Sequence, residues 1–135
     1  MIRYASLTTS DFLNAFEEAR NTNQKYFYIN DYRFKTASHR YHLFHDKGLT
    51  CAVCGLTANT FIIEAPNKDT KPHANLYHVS EDETYTLFTK DHILPRSQGG
   101  KDTQENYQVM CKPCNNKKGS NMSDADKIYL ETTTT

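Results

Sequence analysis

The chain carries four cysteines, and they fall in two pairs of identical spacing, Cys51 with Cys54 and Cys111 with Cys114. Two cysteines separated by two residues can point at one ion from a tight turn, and two such turns complete a tetrahedral thiolate site for Zn²⁺. The 56 residues between the pairs exceed the span of a compact zinc ribbon. Closing a loop of that length instead of one of about 18 residues costs only about 1 kcal/mol more. A structural zinc site contributes on the order of 10–16 kcal/mol, so the separation is no obstacle. Four unrelated buried thiols are the alternative, and paired spacing disfavours them. A redox C-x-x-C is disfavoured too, because neither pair sits between a strand and a helix of a βαβ unit. With all four positions taken by sulfur, the ion has no place for substrate or water, and its role is to hold the fold.

Such a staple suits this composition. Only 37% of the 135 residues are hydrophobic and the mean hydropathy is −0.78, so the apolar supply for a single core is thin. The length fits one domain with at most a short appendage. No run approaches a membrane span, and MIRYASLTTSDF has no apolar stretch of a secretory signal, so the expected location is intracellular, cytoplasmic, where paired cysteines bind metal rather than each other. Lys plus Arg equals Asp plus Glu at 16 each, which excludes a bulk polycation. Segment by segment, however, residues 20–50 carry +4 and 90–118 carry +3, while 51–89 carry −3. Two basic stretches around an acidic one are compatible with a polyanion bound on one side.

Residues 8–20 open with capping hydroxyls and place Phe12, Phe16 and Ala19 on one helical face. Residues 21–36 crowd Tyr26, Phe27, Tyr28, Tyr32 and Phe34 among basic residues without a clean period; these rings either pack over the zinc core or stack on bases. A helix over 37–47 stops before Gly48. TFIIEA, 60–65, is a strand, the proline-flanked 66–72 a loop, and NLYHV and TYTLFT are hairpin strands flanking a solvated acidic turn, SEDE. A short extended NYQVM leads to the second cysteine pair, where a helix is expected to begin at Cys114. His39, His42 and His45 recur every three residues, but helical rotation spreads the first from the last by about 120°, which favours a polar helix face over a metal site.

The segment 91–120, DHILPRSQGGKDTQENYQVMCKPCNNKKGS, sets a carboxylate and an imidazole side by side, then a Gly-Gly loop, an Asn, and a cysteine pair followed by Asn-x-x-Lys. It resembles the HNH endonuclease family, whose core reads Asp-His-Ile-x-Pro, Gly-Gly, Asn, and C-x2-C followed by His or Asn and a Lys. The resemblance is close over 91–118 and looser over 37–55. It implies an α+β fold of treble-clef, ββα-metal type: a zinc-stapled core over 37–120, a helical and aromatic extension over 1–36, and a tail over 121–135.

The resemblance implies His92 as general base, Asp91 as ligand of one divalent cation, Asn106 as the residue that pins the loop and orients the histidine, and Asn115 as the second ligand, an H-N-N variant, with the neighbouring Asn116 as the alternative source of that oxygen. An imidazole suits proton abstraction from water near neutral pH. Two oxygen donors suit hard Mg²⁺ or Mn²⁺. Arg96, Lys117 and Lys118 are the expected phosphate contacts. The implied activity is hydrolysis of DNA, double-stranded by expectation, leaving 5′ phosphates. The rival readings are a zinc-dependent nucleic-acid-binding module without catalysis and a nuclease preferring RNA or branched DNA. A double-strand break needs a homodimer or two encounters. Small size points to a phage or mobile-element enzyme.

Overall fold

A computed structural model of the chain describes residues 1–119. The expected tail over 121–135 lies outside them. Strand β1 (Ile2–Thr8) leads straight into helix α1 (Thr9–Asn21), whose Thr8 cap accepts the Asp11 amide at 3.0 Å. Phe12, Phe16 and Ala19 form its buried face, as their spacing predicts. A hairpin follows, β2 (Tyr26–Ile29) and β3 (Tyr32–Lys35), and then helix α2 (His39–Lys47), capped by the Ser38 hydroxyl and stopped at Gly48, where φ is 94°. Strands β4 (Thr60–Ala65), β5 (His73–Val79), β6 (Tyr85–His92) and β7 (Tyr107–Cys111) precede helix α3 (Lys112–Lys118).

Five strands make one antiparallel sheet in the order β1-β4-β5-β6-β7. Because β1 pairs with β4, residues before 37 share this sheet with those after. The expected helical extension over 1–36 is therefore corrected to strand, helix and hairpin: α1 is its one helix. Residues 21–36 yield strands because Asn30 and Asp31 both take left-handed φ, 50° and 68°, which a two-residue hairpin turn requires and which Asn and Asp tolerate.

The core is mainly aromatic. Phe12 stacks on Phe61 at 4.2 Å and meets Phe27, Phe34 and Tyr41 edge-on at 4.9–5.5 Å. Phe27 and Phe34 are thus packing residues, whereas Tyr28 remains 63% exposed. Helix α2 lies against β6 and β7, so the functional strands rest on this core. Helix α3 starts at Lys112, two residues before the expected start at Cys114, with Pro113 in its first turn.

Candidate active site and thiol cluster

The four cysteines converge as their spacing predicts. All four sulfur atoms lie within 4.8 Å of one another, and Cys54 Sγ is 3.7 Å from Cys111 Sγ. Tetrahedral zinc with bonds of about 2.3 Å sets sulfur atoms about 3.8 Å apart, so the donor set fits the ion. The first pair sits on a turn closed by Gly55 N–H to the Cys51 carbonyl at 3.1 Å, and Ala52 N–H bonds the Val109 carbonyl at 2.9 Å, tying that turn to β7. The thiols do not ionise alike. Against burial, backbone N–H groups and the Cys54 side chain hold Cys51 down to about 7, while burial and neighbouring sulfurs push Cys111 up to about 12. Four sulfur atoms converging this closely make a site that fits one soft cation.

The second cluster grows from the end of β6. In the β6–β7 register Asp91 faces Gln108 and His92 faces Tyr107. Asp91 is 7% exposed, and its Oδ2 accepts from Lys118 Nζ at 2.6 Å and Gln108 Nε2 at 2.9 Å. Lys118 also donates to the His92 and Ile93 carbonyls, at 2.8 and 3.4 Å. Expected at a phosphate, this lysine is instead turned inward, its side chain only 3% exposed, and it serves as the counter-ion of Asp91. Lys117 and Arg96 are at the surface.

His92 Nε2 donates to Asp102 Oδ1, 2.7 Å away, and its ring meets Tyr107 at 5.1 Å in a T-shaped contact. The His92 hydrogen bond, and after it the Arg96 cation, hold the Asp102 carboxyl below the usual carboxylate range. An anionic Asp102 makes Nε2 the protonated nitrogen of a neutral imidazole, which leaves Nδ1 with the lone pair. Burial, then the charge of Asp102, pushes the Tyr107 phenol up, and its hydroxyl lies 3.0 Å from His39 Nδ1.

Asn106 pins the loop between β6 and β7. Its side-chain oxygen accepts from Leu94 N–H at 2.9 Å, and its amide donates to the carbonyls of Leu94 and Lys101 at 3.1 and 2.9 Å. Its bonds run to backbone, and the imidazole's partner is Asp102. Gly100 completes the loop: a Cβ there would sit 1.8 Å from the Leu94 oxygen. Asn115 donates from Nδ2 to Thr89 Oγ1 at 2.9 Å, which orients its carbonyl oxygen away from that hydroxyl.

Asp91, His92 and Asn115 open onto one pocket of about 310 Å³, shared with Lys90, Arg96 and Lys118. Asp91 and Asn115 offer two oxygens there, a donor set that fits a hard divalent cation. Sequence reasoning missed Asp102, Gln108 and Lys90. Asp102 follows the Gly-Gly loop by two residues, which was the one available signal for it, because such a loop folds the chain back toward His92. His39 turns to the Tyr107 hydroxyl, whereas His42 and His45 both meet the Arg20 guanidinium, so the three do not form one metal site.

No helix among the described residues is long and apolar enough to cross a membrane. Neither the curated proteins nor the solved structures contain a match to the chain. Residues 80–127, however, match the family model described as HNH endonuclease. That span contains β6, the Asn106-pinned loop, β7 and α3, so over this part the chain is similar to the HNH endonuclease family.

Proposed function

We propose that the chain is a metal-dependent endonuclease that hydrolyses phosphodiester bonds in DNA, built on a treble-clef, ββα-metal core with Zn²⁺ at the four cysteines. The observation that carries the reading is the pocket shared by Asp91, His92 and Asn115, with the imidazole held at Nε2 by Asp102. His92 Nδ1 takes a proton from water, the resulting hydroxide attacks phosphorus, and the bond to the 3′ oxygen breaks, leaving a 5′ phosphate. Asp102 keeps the imidazole in the tautomer and orientation that this transfer needs. Asp91 and Asn115 are the residues to hold Mg²⁺ or Mn²⁺, which when bound stabilises charge on the scissile phosphate and the leaving oxygen. Lys118 holds the Asp91 carboxylate in place, and exposed Arg96 and Lys117 contact phosphates.

Zinc and catalysis are joined through α3, since Cys114 and Asn115 are neighbours on one turn. Each chain has one such centre, which cuts one strand per encounter; a double break needs two encounters or a dimer. The test is nicking of supercoiled plasmid by zinc-loaded protein with and without added Mg²⁺ or Mn²⁺, beside a folded His92→Ala variant. The expected result is metal-dependent nicking that the variant lacks. Binding of DNA and RNA by both proteins without cleavage of either nucleic acid refutes the enzyme reading and leaves a zinc-stapled binding module.

A further inference from the structure

Away from Asp91 and His92 there is a larger cavity, about 600 Å³, between the β2–β3 hairpin, the first turn of α2 and the neighbouring parts of β4 and β5. Its volume lies within the range of roughly 300–1,000 Å³ usual for small-ligand clefts. Tyr26 supplies aromatic surface, backed by the buried Phe34 and Tyr41, and the Arg33 guanidinium lies 4.4 Å over the Tyr26 ring, adding a planar cation to that wall. Lys35 and Lys71 are exposed on the rim. The one carboxylate in the lining, Glu64, is neutralised where it stands: Arg3 Nε meets Oε1 at 3.2 Å, and Asn75 and Tyr77 donate to Oε2. The cavity therefore combines flat apolar surface with uncompensated positive charge, the complement of an aromatic ring that carries an anion.

The same cavity is continuous in charge with the proposed active site. Arg40, in its lining, reaches from α2 to Asn75 Oδ1 at 3.0 Å and the Ala74 carbonyl at 3.3 Å on β5. On the next strand Lys90 stands in the Asp91–His92 pocket, its ammonium 4.2 Å over the Tyr107 ring. Tyr107 joins the two: its hydroxyl lies 3.0 Å from Nδ1 of His39, the neighbour of Arg40 on α2, and its ring lies under the Lys90 ammonium. A row of cations thus runs from the cavity rim through Arg40 and Lys90 to Arg96, as a polyanionic strand requires.

We propose that this cavity holds one unpaired nucleotide of the same nucleic-acid strand whose phosphodiester lies at Asp91 and His92. The assignment rests on the nuclease reading. A base within an intact duplex is stacked on both faces and hydrogen-bonded at its edge, so it cannot enter a concave site; a base in a single strand, a bulge or a flipped position can. The base lies against the Tyr26–Arg33 wall, and its phosphate meets Lys35 and Lys71. The substrate class favoured by this geometry is DNA with single-stranded or locally unpaired character.

Fluorescence anisotropy of labelled DNA with zinc-loaded, full-length His92→Ala protein, which binds without cutting, tests this. Three probes are compared: a paired duplex, the same duplex with one bulged nucleotide, and the single strand. The bulged and single-stranded probes are expected to bind about tenfold more tightly than the paired duplex. Adding Lys35→Ala and Lys71→Ala, both at exposed positions, is expected to remove that preference, lowering affinity for the bulged and single-stranded probes about tenfold more than for the paired duplex. Equal affinity for the three probes overturns the proposal, as does a preference that survives the double substitution. Competition by free mononucleotides at micromolar concentration also overturns it, in favour of a free-nucleotide site. Plasmid nicking by the unsubstituted protein reports separately on the nuclease reading. A preference without nicking refutes that reading and supports the cavity assignment; nicking without a preference does the reverse.

Discussion

Replacing Lys118 by methionine keeps the aliphatic stem and removes the ammonium that lies 2.6 Å from Asp91 Oδ2. The two side chains are 3% and 8% exposed, so water cannot take over the lost interaction. Gln108 Nε2, at 2.9 Å on the same oxygen, remains, but it carries no charge. Breaking a buried pair by removing one partner costs about 3–5 kcal/mol, because the other charge is left uncompensated. By contrast, the Arg96–Asp102 pair, 72% and 52% exposed and 3.6 Å apart, belongs to the class worth under about 1 kcal/mol. Equilibrium unfolding of the zinc-loaded protein in urea, at constant slope against denaturant, reads the difference. Lys118→Met is expected to lose about 3–5 kcal/mol, and Lys118→Met combined with Asp91→Asn at least about 2 kcal/mol less than the sum of the two single losses. Additivity of the two substitutions within about 0.5 kcal/mol would refute the counter-ion role assigned to Lys118.

Three further outcomes follow from the site. Asp102→Asn is expected to lower kcat by about 10–100-fold at unchanged KM and unchanged DNA affinity, with partial recovery in Asp102→Glu; steady-state nicking kinetics decide, and an unaltered kcat rejects the His92 positioning. Gly100→Ala brings a Cβ to 1.8 Å from the Leu94 oxygen and is expected to cost about 1–3 kcal/mol in the same urea assay, since backbone rather than a flexible side chain must move. Cys54→Ser alters an exposed residue and so removes little packing, yet zinc content by mass spectrometry of the native protein is expected to fall to a trace and nicking to cease; retention of one zinc per chain contradicts the four-thiolate site.

Much of the centre was legible because its residues are local and chemically distinctive. The two cysteine pairs and the Asp91–His92 dipeptide carry their geometry in their spacing, α1, α2 and β6 show their pattern in the sequence, and β4 shows itself by its β-branched and aromatic composition. What escaped depends on chain segments far apart. Residues 2–8 alternate too weakly to announce a strand, and β1 gains its identity only by pairing with β4, about 60 residues on. The β2–β3 hairpin hides its turn in Asn30–Asp31, without the glycine that marks such turns most strongly. For Lys118, sequence position alone suggested a surface cation, whereas one helical turn after Cys114 brings its ammonium over β6 and into the interior. The Asp102–His92 contact spans a loop whose path is set by Asn106 and Gly100, so it could be found only once that loop was folded.

Helix α3 also fixes when, during synthesis, the protein can become reactive. A nascent chain that has reached Gly99 and Gly100 already contains α1, α2, both hairpin rings Phe27 and Phe34, and the Phe12–Phe61 stack, enough to begin building its aromatic interior. It still lacks Cys111 and Cys114 for the metal knot, Asn115 for the pocket and Lys118 to neutralise Asp91. A chain that ends before α3 therefore has much of its aromatic interior but neither the complete thiol cluster nor the Asp91–His92–Asn115 pocket.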